Sequence, residues 1–329
     1  MGNQTYAQTF NNALEYLEYI SNEYSQIYSA QWEYTKAIAH NKNAKKVDKR
    51  RQELLGTIKT AQKKVYQMPA YDGDADFKNF VGKHLNINYS IVNDDYAKIV
   101  DMEAVAEQSY DLMEAYLLAK KLANQKLSDA ADKMNEKMEG FATKHRIQLV
   151  ETESKIGENM KIASKVFDYH NAMYLIFFKS YMQEANFLQA LNTQDVNAME
   201  QAKNALGKYS LEGLTAAAKL SHYNNDASLF QACNTMLKFY QDEAKNQLPK
   251  LIDFYLKQEN LEKIKTSFNK IPQSKRTQAD VDKYNKAIDE FNKSVGNYNE
   301  INNGLNQKRA QLINTWNKAA AAFLNKHVP

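Results

Sequence analysis

The chain has 329 residues, and its 43 Lys and Arg against 39 Asp and Glu give a formal net charge of +4. This balance does not indicate nucleic acid as the default partner. Only 10 glycines and 4 prolines occur, too few for the turns of an all-β or doubly wound fold. The single cysteine, Cys233, excludes an internal disulfide and any multi-cysteine metal site.

Apolar residues in the first half recur at spacings of three and four, the period of helices that pack side by side. The first predicted helix covers residues 6–39, and its buried seam begins at Ala13. A second helix follows the polar link at residues 41–44, and Pro69 stops it, because proline lacks an amide hydrogen and disfavours helical geometry in the preceding residue. The two segments therefore predict a pair of long helices.

A turn and two more helices follow this pair. Residues 71–74 (Tyr-Asp-Gly-Asp) predict the turn, with Asp74 as the N-cap of a third helix that carries Phe77 to Ile91. A fourth helix is predicted over residues 103–146 from its apolar spacing. The first half thus contains about four long helices.

The second half repeats this pattern. An offset of 150 residues places the first seam on residues 163–188, where five of eight pairs are apolar or aromatic in both copies. An offset of 152 places the turn on residues 223–227 (Tyr-Asn-Asn-Asp-Ala). The last helices end alike, at residues 141–145 and 323–327, both Phe-x-x-Lys-His. A shared seam, turn and ending together indicate a duplication.

The sequence therefore predicts an all-α protein, an elongated bundle of two duplicated units with about four long antiparallel helices each. The units cover residues 1–150 and 151–329, and the second carries an insertion near 271–280 and a longer last helix. No Gly-, Ser- or Pro-rich linker lies near the junction, so we expect a continuous helix through residues 150–156. No stretch approaches the ~18–20 apolar residues of a membrane span.

The sequence carries no convincing motif for a metal, a cofactor or catalysis. Residues 72–76 begin like a calcium loop, but Phe77 stands where that loop needs glycine and Lys83 where it needs glutamate. None of the six histidines has a glutamate three positions before or after it, as a helical metal pair requires. Phosphate loops, nucleophile elbows and zinc-protease motifs do not occur. We therefore expect no metal or cofactor and a protein that is not an enzyme.

Two sets of side chains are candidates for contact with a partner. A basic cluster in the second helix suits phosphates or an anionic membrane face, although a solvated helix face is the interpretation we favour, since the second copy keeps no positive charge there. It comprises Lys45, Lys46, Lys49, Arg50 and Arg51. Aromatic residues supply large contact area at low entropic cost. This candidate interaction surface comprises Tyr16, Tyr19, Tyr28, His170 and Tyr174.

The helical pair, the turn Met-Pro-x-Tyr-Asp-Gly-Asp (residues 68–74) and the two following helices resemble an uncharacterised family of helical bacterial surface lipoproteins. The resemblance implies export to the periplasm or cell surface and a lipid tether on a segment that is not part of this chain. It implies no activity and transfers no site residues. A cytoplasmic location is the alternative.

We therefore expect a non-enzymatic cell-envelope protein that presents helical surfaces to a protein or glycan partner. One alternative is a helical, membrane-acting toxin component in which residues 172–178 and 319–324 are concealed apolar elements. Another is a small-molecule binder with a pocket between the two bundles, near His170 and Tyr174.

Overall fold

A computed structural model describes residues 9–40, 43–150 and 154–329, and every regular element in these residues is helical. This confirms the predicted all-α bundle. The predicted start of the first helix, at residues 6–8, lies outside the described residues. Within them, no helix is both long enough and apolar enough to cross a membrane.

The chain separates into two compact units. The first contains the described residues up to Asp168 together with Leu324–Pro329, and the second contains Tyr169–Phe323. A π-helical turn, Ile91–Asp95, joins the third and fourth helices of the first unit without a break. The helices of the first half are α1 (Ala13–His40), α2 (Ala44–Gln67), α3 (Asp76–Ser90), α4 (Tyr96–Ala106) and α5 (Tyr110–Lys144).

The helices of the second half follow the same order. A second π-helical turn, Glu243–Gln247, again links two helices, and a short 3₁₀ turn, Gln273–Lys275, precedes the last helix. That last helix has 50 residues, against 35 in α5, so it is longer as predicted. The helices are α6 (Lys155–Thr193), α7 (Val196–Lys219), α8 (Ser228–Asp242), α9 (Leu248–Lys270) and α10 (Gln278–His327).

Several elements of the two halves correspond residue for residue. Helices α2 and α7 both have 24 residues and begin 152 positions apart, and α3 and α8 both have 15 residues at the same offset. A turn with one isolated β-bridge separates α2 from α3, and another separates α7 from α8. The bridges join Tyr71 to Asp74 and Tyr223 to Asp226. Both π-helical turns have five residues at this offset too. These correspondences favour the predicted duplication, which itself remains an inference from pattern.

The apolar seams form the core of the first unit. Ile20, Leu54, Val81 and Leu85 are at most 1% exposed, as the spacing predicts. Burying such side chains stabilises the fold by about 1.5–3 kcal/mol each. Helix packing, rather than the intrinsic preference of any one segment, therefore fixes these helices.

Three predictions about helix ends are wrong. The helix that follows the turn continues through the π-helical turn to Ala106, and the next begins at Tyr110 rather than near residue 103. Ser109 is the N-cap of α5, because its hydroxyl accepts a hydrogen bond from the Leu112 amide at 3.2 Å. Asp74 lies two residues before α3 rather than at its N-cap, and its carboxylate accepts from the Asp76 amide at 2.7 Å.

The third error is the continuous helix through residues 150–156. Residues 147–150 are not helical and α6 begins at Lys155, while residues 151–153 lie outside the described residues. Helix α5 ends because Arg146 adopts a left-handed φ of 55°. The Ile147 amide then bonds back to the Ala142 carbonyl at 2.8 Å, which closes a Schellman C-cap.

Candidate functional site

Tyr16 is not an exposed tyrosine, so this part of the predicted interaction surface is wrong. Its side chain is 1% exposed, and its hydroxyl donates to the Pro69 carbonyl at 3.0 Å. The ring packs on Tyr71 and Phe141, with centroid distances of 5.3 and 5.8 Å. The turn after α2 and the end of α5 therefore cover a helix flank that the spacing within α1 leaves open.

The other two first-half tyrosines of the predicted interaction surface, Tyr19 and Tyr28, are half-buried. Tyr19 contacts Phe10 with ring centroids 5.6 Å apart. Tyr28 lies 6.0 Å from the Tyr24 ring, and burial, together with the charge of Asp132, raises its pKa. Neither ring is free enough to act as an isolated contact residue, because much of each faces the unit's own core.

His170 and Tyr174 lie together in the second unit. Their rings are parallel within 6° and 6.4 Å apart, and both residues are half-buried. Tyr174 also stacks on Phe178 at 5.4 Å and contacts Trp316 at 6.4 Å. The space on this side of Tyr174 is filled by other rings of the same unit.

The predicted basic cluster is partly neutralised by two carboxylates of its own helix, Asp48 and Glu53. Arg50 bonds to Glu53 at 2.7 Å, Lys49 lies 3.9 Å from the same carboxylate, and Arg51 bonds to Asp48 at 3.0 Å. Lys45 and Lys46 are exposed. Such exposed pairs stabilise little, about 0–1 kcal/mol each, and they lower the local positive potential. The cluster is therefore a weaker anion site than its sequence indicates.

A second set of positive charges in the first unit lies in a groove between α2 and α3 that we call the lysine groove. It encloses about 610 Å³, and no carboxylate lines it. In the described part of the chain, none of its four lysines is ion-paired with a carboxylate. They are Lys59, Lys63, Lys78 and Lys83.

Neutral hydrogen-bonding groups and one aromatic ring complete the lysine groove. Gln62 donates to the Asn86 amide oxygen at 2.8 Å, a bond that links α2 to α3 across it. Tyr66 projects from α2 and is 85% exposed. A Cβ added to Gly82 would meet nothing within 4 Å, so the groove is open at this point. The lining can therefore offer cationic, amide and aromatic contacts to one ligand.

The second unit does not keep these lysines. At an offset of 152, the four positions hold Leu211, Thr215, Phe230 and Thr235, although α7 and α8 have the same lengths as α2 and α3. The same helix pair thus forms without them. In the first unit, Lys78 of α3 donates to the carbonyl of Met68 at the end of α2, so this lysine also joins the two helices.

The core of the second unit contains three charged residues that we call the charge triad: Glu184 of α6, Glu243 of the π-helical turn and Arg309 of α10. They are 2%, 0% and 7% exposed. The guanidinium donates to Glu184 through Nε and to Glu243 through a terminal nitrogen at 2.5 Å. Its other terminal nitrogen donates to the Asn306 amide oxygen at 2.7 Å. One cation therefore serves two buried carboxylates.

The charge triad is electrostatically unbalanced. Burial, reinforced by the charge of Glu184 and opposed by Arg309, raises the pKa of Glu243 well above its usual range. One oxygen of Glu243 and the Ser180 hydroxyl are buried without a hydrogen-bond partner. With Glu243 protonated, the three residues carry no net charge. The sequence carries a signal for this site, because Asn302 and Arg309 are the two polar residues that interrupt the apolar heptad of the last helix.

Among the described residues, no group of three or more His, Cys, Asp or Glu side chains is arranged to hold a metal ion. Comparison with protein-family models, with curated proteins and with solved structures finds no match.

Proposed function

We propose that this chain is a non-catalytic binding protein of the cell envelope, and that its recognition site is the lysine groove. The observation that carries the proposal is the set of four lysines without carboxylate partners along one open groove. Lysines without a carboxylate partner suit an electrostatic role toward a ligand, and Lys63 and Lys83 are joined there by Lys59, which lies over the Tyr89 ring, and Lys78, which also donates to the Met68 carbonyl. The ligand is an anionic glycan, a sugar polymer that bears carboxylate or phosphate groups.

A glycan fits the lining better than an acidic protein segment does. Protein partners are held mainly by apolar and aromatic anchors in dry pockets. Here seven of the ten lining residues have side chains that end in an ammonium or an amide group, and these match the acidic groups and hydroxyls of a charged sugar. The exposed face of Tyr66 offers a flat apolar surface beside them, on which a sugar ring can lie.

The test uses charge placed at an open backbone position. Gly82→Glu adds a carboxylate inside the groove without a steric clash, so it should weaken binding of polygalacturonate at least tenfold. Gly82→Lys is the matched variant and should bind as well as wild type or better. Gly140→Glu adds the same charge at another open position, on α5, and should have no effect.

Binding is measured by titration calorimetry at two ionic strengths, with neutral dextran as the negative control. Screening by salt should weaken the interaction of wild type and abolish the difference between the two Gly82 variants. Equal affinity of Gly82→Glu and wild type would refute the groove as the site. Binding to an acidic peptide in place of the polyanionic sugar would refute the ligand class.

The envelope location is supported by the resemblance of residues 68–74 and the neighbouring helices to surface lipoproteins. Fractionation of cells that express the native gene, followed by protease treatment of intact cells, tests it. The protein is expected in the membrane fraction and sensitive to the protease. Leakage of dye from liposomes would favour the membrane-acting alternative instead.

A further inference from the structure

The second unit contains an open groove between α6 and α7, which we call the amide groove. It encloses about 550 Å³. Alanine and neutral amide side chains form most of its lining, together with Thr193 and Asp195. The amide side chains are Gln183, Asn186, Gln189 and Gln201, and the alanines include Ala198, Ala202 and Ala205.

The corresponding surface of the first unit is crossed by charged side chains. Arg50 of α2 bonds to Glu53 at 2.7 Å and reaches Glu33 of α1 at 3.9 Å. Lys36 bonds to Glu33 at 2.5 Å, and Lys49 lies 3.9 Å from Glu53. Long paired side chains therefore bridge α1 and α2 in the first unit.

None of these five charges is present in the second unit. Offsets of 150 for α6 and 152 for α7 place uncharged residues at all five positions. The change from Arg50 and Glu33 to an alanine and a glutamine removes the bridge and leaves the amide groove open. The five residues are Gln183, Asn186, Gln201, Ala202 and Ala205.

The exposed amide groups have unused hydrogen-bonding capacity. Gln189 and Gln201 are exposed, and their side chains make no hydrogen bond within the described part of the chain. Each amide offers two donors and an acceptor with two lone pairs. Asp195 is the one carboxylate in the lining, and it caps α7 by accepting from the Ala198 amide at 3.0 Å. No cation lines the groove, so its chemistry differs from that of the lysine groove.

We infer that the amide groove binds a neutral glycan. A sugar hydroxyl both donates and accepts, which matches an amide group better than an ammonium or a carboxylate does. A peptide would need pockets for large apolar anchors, and the apolar groups of this lining are small, mainly alanine methyl groups. The inference concerns a second site and stands independently of ligand binding at the lysine groove.

The test transplants the first-unit bridge. The double variant Gln183→Glu with Ala202→Arg restores the pair that Glu33 and Arg50 form, and it should close the groove while the helices stay intact. A matched control adds the same two charges at exposed positions of α7 outside the lining, as Asn197→Glu with Asn204→Arg. Circular dichroism and urea unfolding confirm that both variants remain folded.

Short neutral oligomers of glucose and of N-acetylglucosamine serve as probes for the full chain, in NMR titrations that follow the side-chain NH₂ resonances of Gln189 and Gln201. Both resonances should shift with wild type and with the control variant, and affinity should fall at least tenfold in the bridged variant. Equal binding by the bridged variant would overturn the inference. So would the absence of any shift at millimolar sugar, or shifts caused by a neutral peptide and not by the sugars.

Discussion

Replacing Arg309 by methionine should destabilise the second unit more than any other single change in the charge triad. In the described part of the chain, Arg309 is the cation bonded to both Glu184 and Glu243, which are 2% and 0% exposed. Its removal leaves the Glu184 carboxylate buried without a cation and the neutral Glu243 without its hydrogen-bond donor, at a cost of about 3–5 kcal/mol. That is a large part of the total stability of a domain, which is about 5–15 kcal/mol.

Glu243→Gln should behave quite differently, because it copies the neutral form of the side chain. Burial and the neighbouring Glu184 carboxylate raise the pKa of Glu243, so the folded protein holds a proton that the unfolded chain releases above about pH 4.3. The unfolded state then binds fewer protons than the folded state. The free energy of unfolding of wild type should therefore fall as pH rises from about 4.3, the pKa of glutamate in the unfolded chain, to about 9, its pKa in the folded protein. The fall should be up to about 1.4 kcal/mol per pH unit.

The assay is urea unfolding of wild type, Arg309→Met and Glu243→Gln, followed by circular dichroism between about pH 5.5 and 8.5, below the range where tyrosines titrate. Glu243→Gln should lack the part of the slope that comes from Glu243, so its stability relative to wild type should rise with pH. Identical slopes for the two proteins would refute a proton held on Glu243. Equal loss of stability in both variants would refute the assignment of Arg309 as the shared cation.

Three further predictions concern single residues. Burial lowers the pKa of His84, so the folded protein keeps this residue neutral at a pH where the unfolded chain already binds a proton. The stability of wild type should therefore fall as pH drops below about 6.5. The melting temperature of His84→Gln should depend less on pH between about 5 and 7. Gly304→Ala should stabilise the chain against urea by about 0.5–1 kcal/mol, because the new Cβ meets nothing within 4 Å. Gly213→Ala should destabilise it by about 1–3 kcal/mol, because the new Cβ would lie 3.0 Å from the Leu237 side chain. Burial raises the pKa of Cys233 to about 12, so a thiol reagent at neutral pH should label it after unfolding and not before.

The helical seams could be predicted from the sequence because burial along a helix is a local periodic property. Leu17, Ile20, Tyr24 and Ile27 follow the spacing of three and four, and all four are at most 3% exposed. The turn at residues 71–74 could also be predicted, because Pro69 and Gly73 mark it locally in the sequence. Helix ends were harder, since the left-handed Arg146 that ends α5 is not a glycine and gives no signal.

Contacts between helices could not be predicted, because they depend on which faces meet in three dimensions. Tyr16 lies on a flank of its own helix, yet the turn after Pro69 and the ring of Phe141 bury it. The lysine groove needs α2 and α3 side by side, so Lys63 and Lys83 do not stand out as a pair in the sequence. Arg309 was visible as a polar interruption, but its two partners lie 125 and 66 positions away along the chain.

Comparison of the two halves separates what the fold requires from what it merely permits. The charge triad occupies positions whose counterparts in the first unit, at offsets of 150, 152 and 182, are Tyr34, Ile91 and Leu127. Tyr34 and Ile91 are buried and Leu127 is half-buried, and all three are uncharged. Replacing the buried ionic cluster by these residue types should be neutral or stabilising by about 1–4 kcal/mol. The triple variant Glu184→Tyr, Glu243→Ile and Arg309→Leu tests this by urea unfolding. If it is less stable than Arg309→Met alone, the two cores do not pack equivalently at this level.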